Sequence, residues 1–132
     1  MSEYLFVYGS LKRGCGGRQA SEISNELTWI GKAEVRGRLY DFGEYCGAII
    51  DTSAPSVIKG ELLELPNTSM LKRLDGYENY DPATSDSLFV RQKVETIVET
   101  GSSLEAWIYT YNRHPGDAPV IANGEYSKRG TS

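Results

Sequence analysis

Two short stretches of this chain combine residue types that could do chemistry. In the first, Gly9 and Ser10 directly follow the apolar run from Tyr4 to Tyr8. A buried strand that ends in Gly-Ser leaves several backbone N–H groups without ladder partners, and glycine tolerates the angles needed to aim them at one anion. Tyr8–Leu11 is therefore a candidate cradle for a carboxylate or an oxyanion. A strand followed by an ordinary polar turn explains the same residues and stays open.

The second stretch places a carboxylate among aromatic residues. Leu71 and Leu74 define the apolar face of a predicted helix, and Glu78 lies four residues after Leu74, on the same face. Tyr77 and Tyr80 flank it. Because a carboxylate that loses its hydration has a raised pKa, Glu78 is suited to act as a general acid or base near neutral pH. A solvated glutamate after a helix is the alternative, and this pattern leaves it open.

Motifs for other common chemistries are incomplete. The stretch from Gly9 to Gly14 begins like a phosphate-binding loop, but Gly-Cys-Gly follows where that loop needs Gly-Lys-Ser/Thr. A dinucleotide-binding glycine fingerprint is not completed either. The single histidine, His114, cannot form a zinc site with Cys15 and Cys46 at this spacing, so we expect no metal.

Composition limits the class of protein. The chain has 132 residues, enough for one domain with a real core, and its net charge of −4 argues against a nucleic-acid surface. No apolar run approaches the roughly 18 residues of a membrane span, and the N-terminus lacks the features of a signal peptide. We therefore expect Cys15 and Cys46 to be free thiols, no membrane partner and a cytoplasmic location.

The elements that must position the two stretches are mostly strands. Period-two alternation with β-branched and aromatic residues predicts strands at Thr28–Tyr40 (one long bent strand or two short ones), Gly47–Ile50, Val57–Leu65, Leu88–Thr100 and Leu104–Tyr111. Gly101 and Ser102 predict a hairpin between the last two. Gly37 and Gly60 occupy matching places in two of these strands, which is typical of a curled sheet or a small barrel.

Helices are predicted in two places. Thr68–Tyr77 is the stronger candidate, with Thr68 or Ser69 as the N-cap and Gly76 as a left-handed C-cap. Gln19–Leu27 is a second short candidate. Residues after about 115 are rich in Gly, Pro and Ser, and we expect a loop or tail there.

Two motifs together resemble the γ-glutamylcyclotransferase-like family, which includes the AIG2-like proteins. They are Tyr8–Gly14 and Leu74–Glu78, and the separation and order of the two are more specific than either alone. Supporting matches occur at Lys59–Leu62, Phe89–Arg91 with Val94, Ala106–Tyr109 and Ile121–Tyr126. The resemblance extends from residue 4 to about 126, nearly the whole chain.

The resemblance implies a fold and a reaction. The fold would be α+β, a single domain over residues 1–132 with a curled, barrel-like, mixed but mostly antiparallel sheet and few short helices. The reaction would be the attack of a γ-glutamyl α-amine on its own γ-carbonyl, which gives 5-oxoproline and releases an amine or amino acid. Glu78 would shuttle the proton, and Tyr8, Gly9, Ser10 and Leu11 would bind the small-molecule γ-glutamyl substrate. No cofactor is implied, because nucleophile and electrophile are tethered.

At several positions the sequence departs from the family pattern, and these departures bear on which leaving group the protein accepts. Asn79 stands where many relatives have Gly, Phe89 where a Tyr is common, and Cys46-Gly47 where a Pro is common. The acidic loop from Asp81 to Ser87 is longer than expected. We expect these positions to border the substrate entrance. A protein of the same fold that only binds a carboxylate metabolite, without catalysis, is the second hypothesis.

Overall fold

The described part of the chain forms six strands and a helix between the fourth and fifth of them. A computed structural model describes residues 3–9, 22–23, 25–43, 45–78, 80–81, 83–84 and 86–126. The strands are β1 (Glu3–Val7), β2 (Thr28–Asp41), β3 (Cys46–Ile50), β4 (Val57–Leu65), β5 (Phe89–Val98) and β6 (Ser103–Tyr111). Helix α1 (Met70–Tyr77) lies between β4 and β5.

Five of the strands close into a barrel. The strand order is β3-β2-β4-β1-β6-β5, and a further pairing of β2 with β5, at Ala33 opposite Val98, completes the circle. Strand β3 pairs with β2 outside that circle. Only the pairing of β1 with β6, at Leu5 opposite Trp107, is parallel among these described strands. The predicted curled, mostly antiparallel sheet is therefore confirmed.

The two glycines predicted to mark bends lie where strands pack closely. A side chain at Gly60, in β4, would run into the Val7 carbonyl oxygen and would come within 2.8 Å of the Phe6 ring. A side chain at Gly37, in β2, would come within 2.5 Å of the Ile49 carbonyl oxygen. Because real Cβ atoms do not approach other atoms this closely, both positions require glycine.

Strand β1 is buried on both faces, which explains its continuous apolar run. Leu5 and Val7 pack in the cluster that includes Leu71 and Leu74 of α1. Phe6 belongs to a second cluster, with inward-facing residues of the barrel strands (Val35, Ile58, Leu62, Ala106 and Ile108). Helix α1 is thereby held against the outside of the barrel next to the end of β1. The two stretches singled out in the sequence are joined by this packing.

The N-terminus of α1 agrees with the sequence prediction, whereas its C-terminus does not. Ser69 is the N-cap residue, as predicted, but its side chain makes no capping hydrogen bond; the Asn67 Oδ1 atom accepts the hydrogen bond of the Met70 N–H group instead, at 3.1 Å. The prediction that Gly76 ends the helix in the left-handed conformation is wrong. Gly76 lies inside α1 without a positive φ, because helical hydrogen bonding continues beyond it to Glu78, the C-cap residue.

The segment after β6 is irregular but hydrogen-bonded to the barrel. The Ile121 N–H group donates to the Leu39 carbonyl at 2.7 Å, and the Lys59 N–H group donates to the Gly124 carbonyl at 2.7 Å. These bonds hold Tyr126 near the end of β1. Four residues of the second predicted helix, Gln19–Leu27, lie outside the described residues (19–21 and 24). Glu22 and Ile23 are helical, whereas Asn25 and Glu26 form a turn.

No helix among the described residues is long and apolar enough to cross a membrane. The cytoplasmic location stays a prediction.

Candidate active site

A cavity of ≈ 180 Å³ opens at the end of β1. Three of the predicted site residues, Tyr8, Gly9 and Glu78, line it together. The other two, Ser10 and Leu11, lie outside the described residues. The rest of the described lining is largely aromatic: Phe6, Val7, Tyr45, Cys46, Phe89, Tyr109 and Tyr126. The structure thus brings the carboxylate and the start of the predicted cradle to one place.

Glu78 is held at this cavity by the register of α1. Leu74, one helical turn earlier, is fully buried, and the Glu78 N–H group donates to its carbonyl at 2.9 Å. Burial raises the pKa of Glu78 to about 7, because an ionised carboxylate loses its hydration there. Among the described residues, none donates a hydrogen bond to this carboxylate or forms an ion pair with it. Glu78 can therefore both accept and release a proton near neutral pH.

A second carboxylate, Asp75, lies three residues earlier and is fully partnered. The Tyr109 hydroxyl donates to Asp75 Oδ1 at 2.6 Å, and Arg91 Nε lies 2.9 Å from the same oxygen. The Arg91 guanidinium also lies over the Trp107 ring, 4.7 Å from its centroid. Asp75 therefore ties the end of α1 to strands β5 and β6, and this fixes the direction in which Glu78 leaves the helix.

Tyr8 uses its hydroxyl to hold the cavity wall. The hydroxyl donates to the Tyr109 carbonyl at 2.5 Å and accepts from the Ala48 N–H group at 3.3 Å. Burial, followed by the nearby Glu78 charge, raises the pKa of Tyr8 well above its ordinary value, so the phenol stays neutral. Because its single proton is already donated, the Tyr8 hydroxyl is not available as a hydrogen-bond donor to a ligand.

Gly9 lines the cavity, but not in the conformation for which glycine was expected there. Its φ is not positive, so the conformational freedom of glycine is not what this position uses. A Cβ atom here would lie 3.5 Å from Cys46 Sγ, an ordinary contact. Whether this position binds a ligand is therefore a matter of the space beside it and not of backbone strain.

Several residues of the site were not assigned a role from the sequence. Asp75, Arg91 and Tyr109 form the support behind Glu78, and Tyr45 and Tyr126 line the cavity. Alternation along β6 indicates which way Tyr109 points, but no sequence signal pairs it with Asp75, 34 positions away. Cys46 carries a buried thiol in the cavity wall, whereas Cys15 lies outside the described residues.

A metal site does not emerge from these side chains. Within the part of the chain that the structure describes, no three His, Cys, Asp or Glu side chains come together as metal ligands would. The expectation of a reaction without metal or cofactor stays a prediction.

The site thus combines a closed barrel, an aromatic cavity and a half-buried carboxylate that no described residue partners. The chain belongs to the family described as gamma-glutamyl cyclotransferase, AIG2-like, whose model matches residues 5–128. This confirms the resemblance stated from the two motifs.

One relative is similar in sequence, and two solved structures are similar in fold. The chain is 28% identical over 124 residues to a Methanocaldococcus jannaschii protein named "Putative gamma-glutamylcyclotransferase", covering 94% of this chain and 95% of that one. The fold of the present chain is similar to that of an aig2-like protein from Mus musculus (TM-score 0.77, 23% identity), and the match covers 98% of this chain and 90% of the mouse chain. It is also similar to YkqA of Bacillus subtilis (TM-score 0.71, 20% identity), covering 96% of this chain but only 40% of YkqA.

Proposed function

We propose that this protein cyclises a γ-glutamyl amine or γ-glutamyl dipeptide to 5-oxoproline and releases the amine or amino acid. The observation that carries the proposal is Glu78, a carboxylate with a pKa of about 7 in an aromatic cavity beside Gly9. Membership of the gamma-glutamyl cyclotransferase, AIG2-like family supports the same reaction.

Glu78 would act first as a base. The α-ammonium of the substrate gives a proton to the carboxylate, and the resulting amine attacks the γ-carbonyl carbon. A five-membered ring forms with a new C–N bond, and negative charge develops on the carbonyl oxygen. The attack is intramolecular, so the enzyme has to fix one conformer rather than bring two molecules together.

Glu78 would then act as an acid. The tetrahedral intermediate collapses when the original C–N bond breaks, and the departing nitrogen needs a proton to leave as an amine. In total the attacking nitrogen loses two protons and the departing nitrogen gains two, ending as an ammonium ion. A single carboxyl group with a pKa near neutrality can carry both protons in turn.

The end of β1 would bind the substrate and its developing charge. Backbone N–H groups from Gly9 onward, including Ser10 and Leu11, are the proposed donors to the substrate carboxylate or to the oxyanion. Preorganised donors of this kind act without reorganising during the reaction. The Tyr8 ring would form the floor, since its hydroxyl is already bonded to Tyr109 and Ala48.

Release of 5-oxoproline from purified protein and a panel of γ-glutamyl amines and dipeptides tests this proposal. We expect turnover in the parent and a loss of about 10²–10⁴-fold in Glu78→Gln, which keeps size and hydrogen bonding but accepts no proton. Glu95→Gln, at an exposed position of β5, is the matched control and should retain full activity. Turnover on no substrate, with tight binding of 5-oxoproline retained, would instead favour the metabolite-binding protein.

A further inference from the structure

We propose that the leaving amine carries a flat apolar group, such as an aryl ring, that binds against an aromatic wall at the mouth of the cavity. The aromatic wall consists of Phe42, Tyr45, Phe89 and Tyr111. This inference rests on the proposed cyclisation and adds to it the chemical class of the leaving group.

Ring contacts join the four residues into one surface. Phe42 lies against Tyr45 with ring centroids 5.2 Å apart and against Tyr111 at 4.4 Å. Phe89 meets Tyr45 edge-on at 6.0 Å and Tyr111 edge-on at 5.8 Å. Tyr45 and Phe89 of this group line the cavity, and the other two rings stand behind them.

Backbone contacts hold the wall in place before any ligand binds. The Phe42 N–H group donates to the Tyr45 carbonyl at 2.9 Å, and the Gly43 N–H group donates to Asp41 Oδ1 at 2.8 Å. Gly47 is essential to the packing, since a Cβ atom there would lie 2.9 Å from both the Phe42 ring and Tyr111 Cβ. A wall that is already ordered loses little entropy when a ligand ring packs on it.

The position of the aromatic wall indicates that it binds the leaving group of the substrate. The reacting amide must lie at Glu78, so the γ-glutamyl part occupies the end of the cavity that holds Glu78 and Gly9. Tyr45 is 37% exposed and therefore marks the open end. The group attached to the departing nitrogen points out of the cavity past Tyr45 and Phe89.

Three substrates that differ only in the amine test the proposal. They are γ-glutamyl phenethylamide, γ-glutamyl butylamide and the same butylamide with a terminal ammonium group. We expect kcat/KM for the phenethylamide to exceed that for either butylamide by about three- to tenfold, the size of one aromatic pair. Equal values, or a preference for the ammonium substrate, would overturn the proposal.

Variants of the aromatic wall test whether the preference for the aryl substrate arises there. Tyr45→Ala and Phe89→Leu should each reduce the aryl preference to about twofold or less, whereas Tyr45→Phe should keep it, because the ring remains. Ile97→Ala, at another exposed large apolar side chain, is the matched control and should leave the preference unchanged. An aryl preference that survives Tyr45→Ala and Phe89→Leu would contradict the proposed site.

Binding of unreactive analogues separates this inference from the cyclisation itself. N-phenethyl and N-butyl glutaramates lack the α-amine and cannot cyclise, and their affinities can be measured by calorimetry. Tighter binding of the phenethyl compound, lost in Tyr45→Ala, supports the wall even if no substrate is turned over. Turnover with no aryl preference in either assay leaves the cyclisation standing and refutes the wall.

Discussion

Asp75 and Glu78 are three residues apart at the end of one helix, yet their carboxylates lie in opposite environments. The Asp75 Oδ1 atom lies 2.6 Å from the Tyr109 hydroxyl and 2.9 Å from Arg91 Nε. In contrast, no described residue donates a hydrogen bond to the Glu78 carboxylate. Burial without a partner raises the pKa of Glu78 to about 7. Two carboxylates of one sequence motif can therefore serve different roles, because their surroundings differ.

The pairing of Asp75 with Arg91 predicts strongly coupled effects on stability. Their side chains are only 11% and 17% exposed, so Asp75→Asn leaves a poorly hydrated guanidinium without its counter-charge. We expect a loss of about 3–5 kcal/mol in the free energy of unfolding, measured in urea. Asp75→Asn combined with Arg91→Met should cost clearly less than the sum of the single changes, because no uncompensated charge remains. Strict additivity would show that the two side chains do not interact in solution.

The raised pKa of Glu78 predicts the pH dependence of activity. A general base must be ionised in the free enzyme, so kcat/KM for a γ-glutamyl amine should fall on the acid side with an apparent pKa of about 7. Glu95→Gln should show the same acid limb as the parent. An acid limb with an apparent pKa near 4.5, the ordinary glutamate value, would mean that Glu78 is hydrated in the working enzyme.

Substitutions at Gly9 should separate folding from binding. A Cβ atom has room there, 3.5 Å from Cys46 Sγ, so we expect Gly9→Ala to fold with unchanged thermal stability. Gly9→Val places a branched isopropyl group next to the cavity and should abolish 5-oxoproline binding, measured by calorimetry. If Gly9→Val binds 5-oxoproline as the parent does, the end of β1 is not the cradle.

The cysteines should be dispensable. Cys46 is a buried thiol, so we expect it to react slowly with a thiol reagent in the native protein, and we expect two thiols in denaturant. Cys46→Ser and Cys15→Ser should each retain catalysis, because the proposed mechanism gives neither sulfur a role. A disulfide in protein purified without oxidant, or complete inactivation by Cys15→Ser, would contradict this prediction.

Local patterns in the sequence predicted most of the described strands and the helix α1, and they singled out Glu78 while leaving a solvated glutamate open. Alternating apolar residues predicted Val57–Leu65 with the bounds of β4, and the spacing of Leu71, Leu74 and Glu78 directed the carboxylate toward the packed side of α1. Both predictions depend on residues within one or two turns of each other. The side-chain periods of helix and strand determine such relationships directly.

Long-range contacts could not be found in that way. Closure of the barrel depends on Ala33 meeting Val98, and the support behind Glu78 depends on Asp75 meeting Tyr109, with no local signal for either pair. The error at Gly76 has a related cause. Glycine favours a helix end, but the packing of α1 on the barrel and the bond from the Tyr80 N–H group to the Asp75 carbonyl carry the backbone past it. Tertiary packing overrode the local preference.

Burial of Glu78 finally predicts how stability changes with pH. Its pKa rises from 4.5 in the unfolded chain to about 7 in the folded protein, so between these values the folded state holds a proton that the unfolded state has released. The free energy of unfolding therefore contains a contribution from protonated Glu78. This contribution is fully present below pH 4.5 and is lost as the pH rises through 7, which lowers the free energy of unfolding by up to about 3 kcal/mol.

Glu78→Gln does not titrate and avoids this loss. The difference in unfolding free energy between Glu78→Gln and the parent, measured in urea, should therefore grow in favour of the variant from pH 4.5 to 8.5. Other carboxyl groups titrate alike in both proteins and cancel. A difference that does not change with pH would mean that the Glu78 carboxylate is not desolvated in the folded protein, and its proposed role as the acid–base group would lose its physical basis.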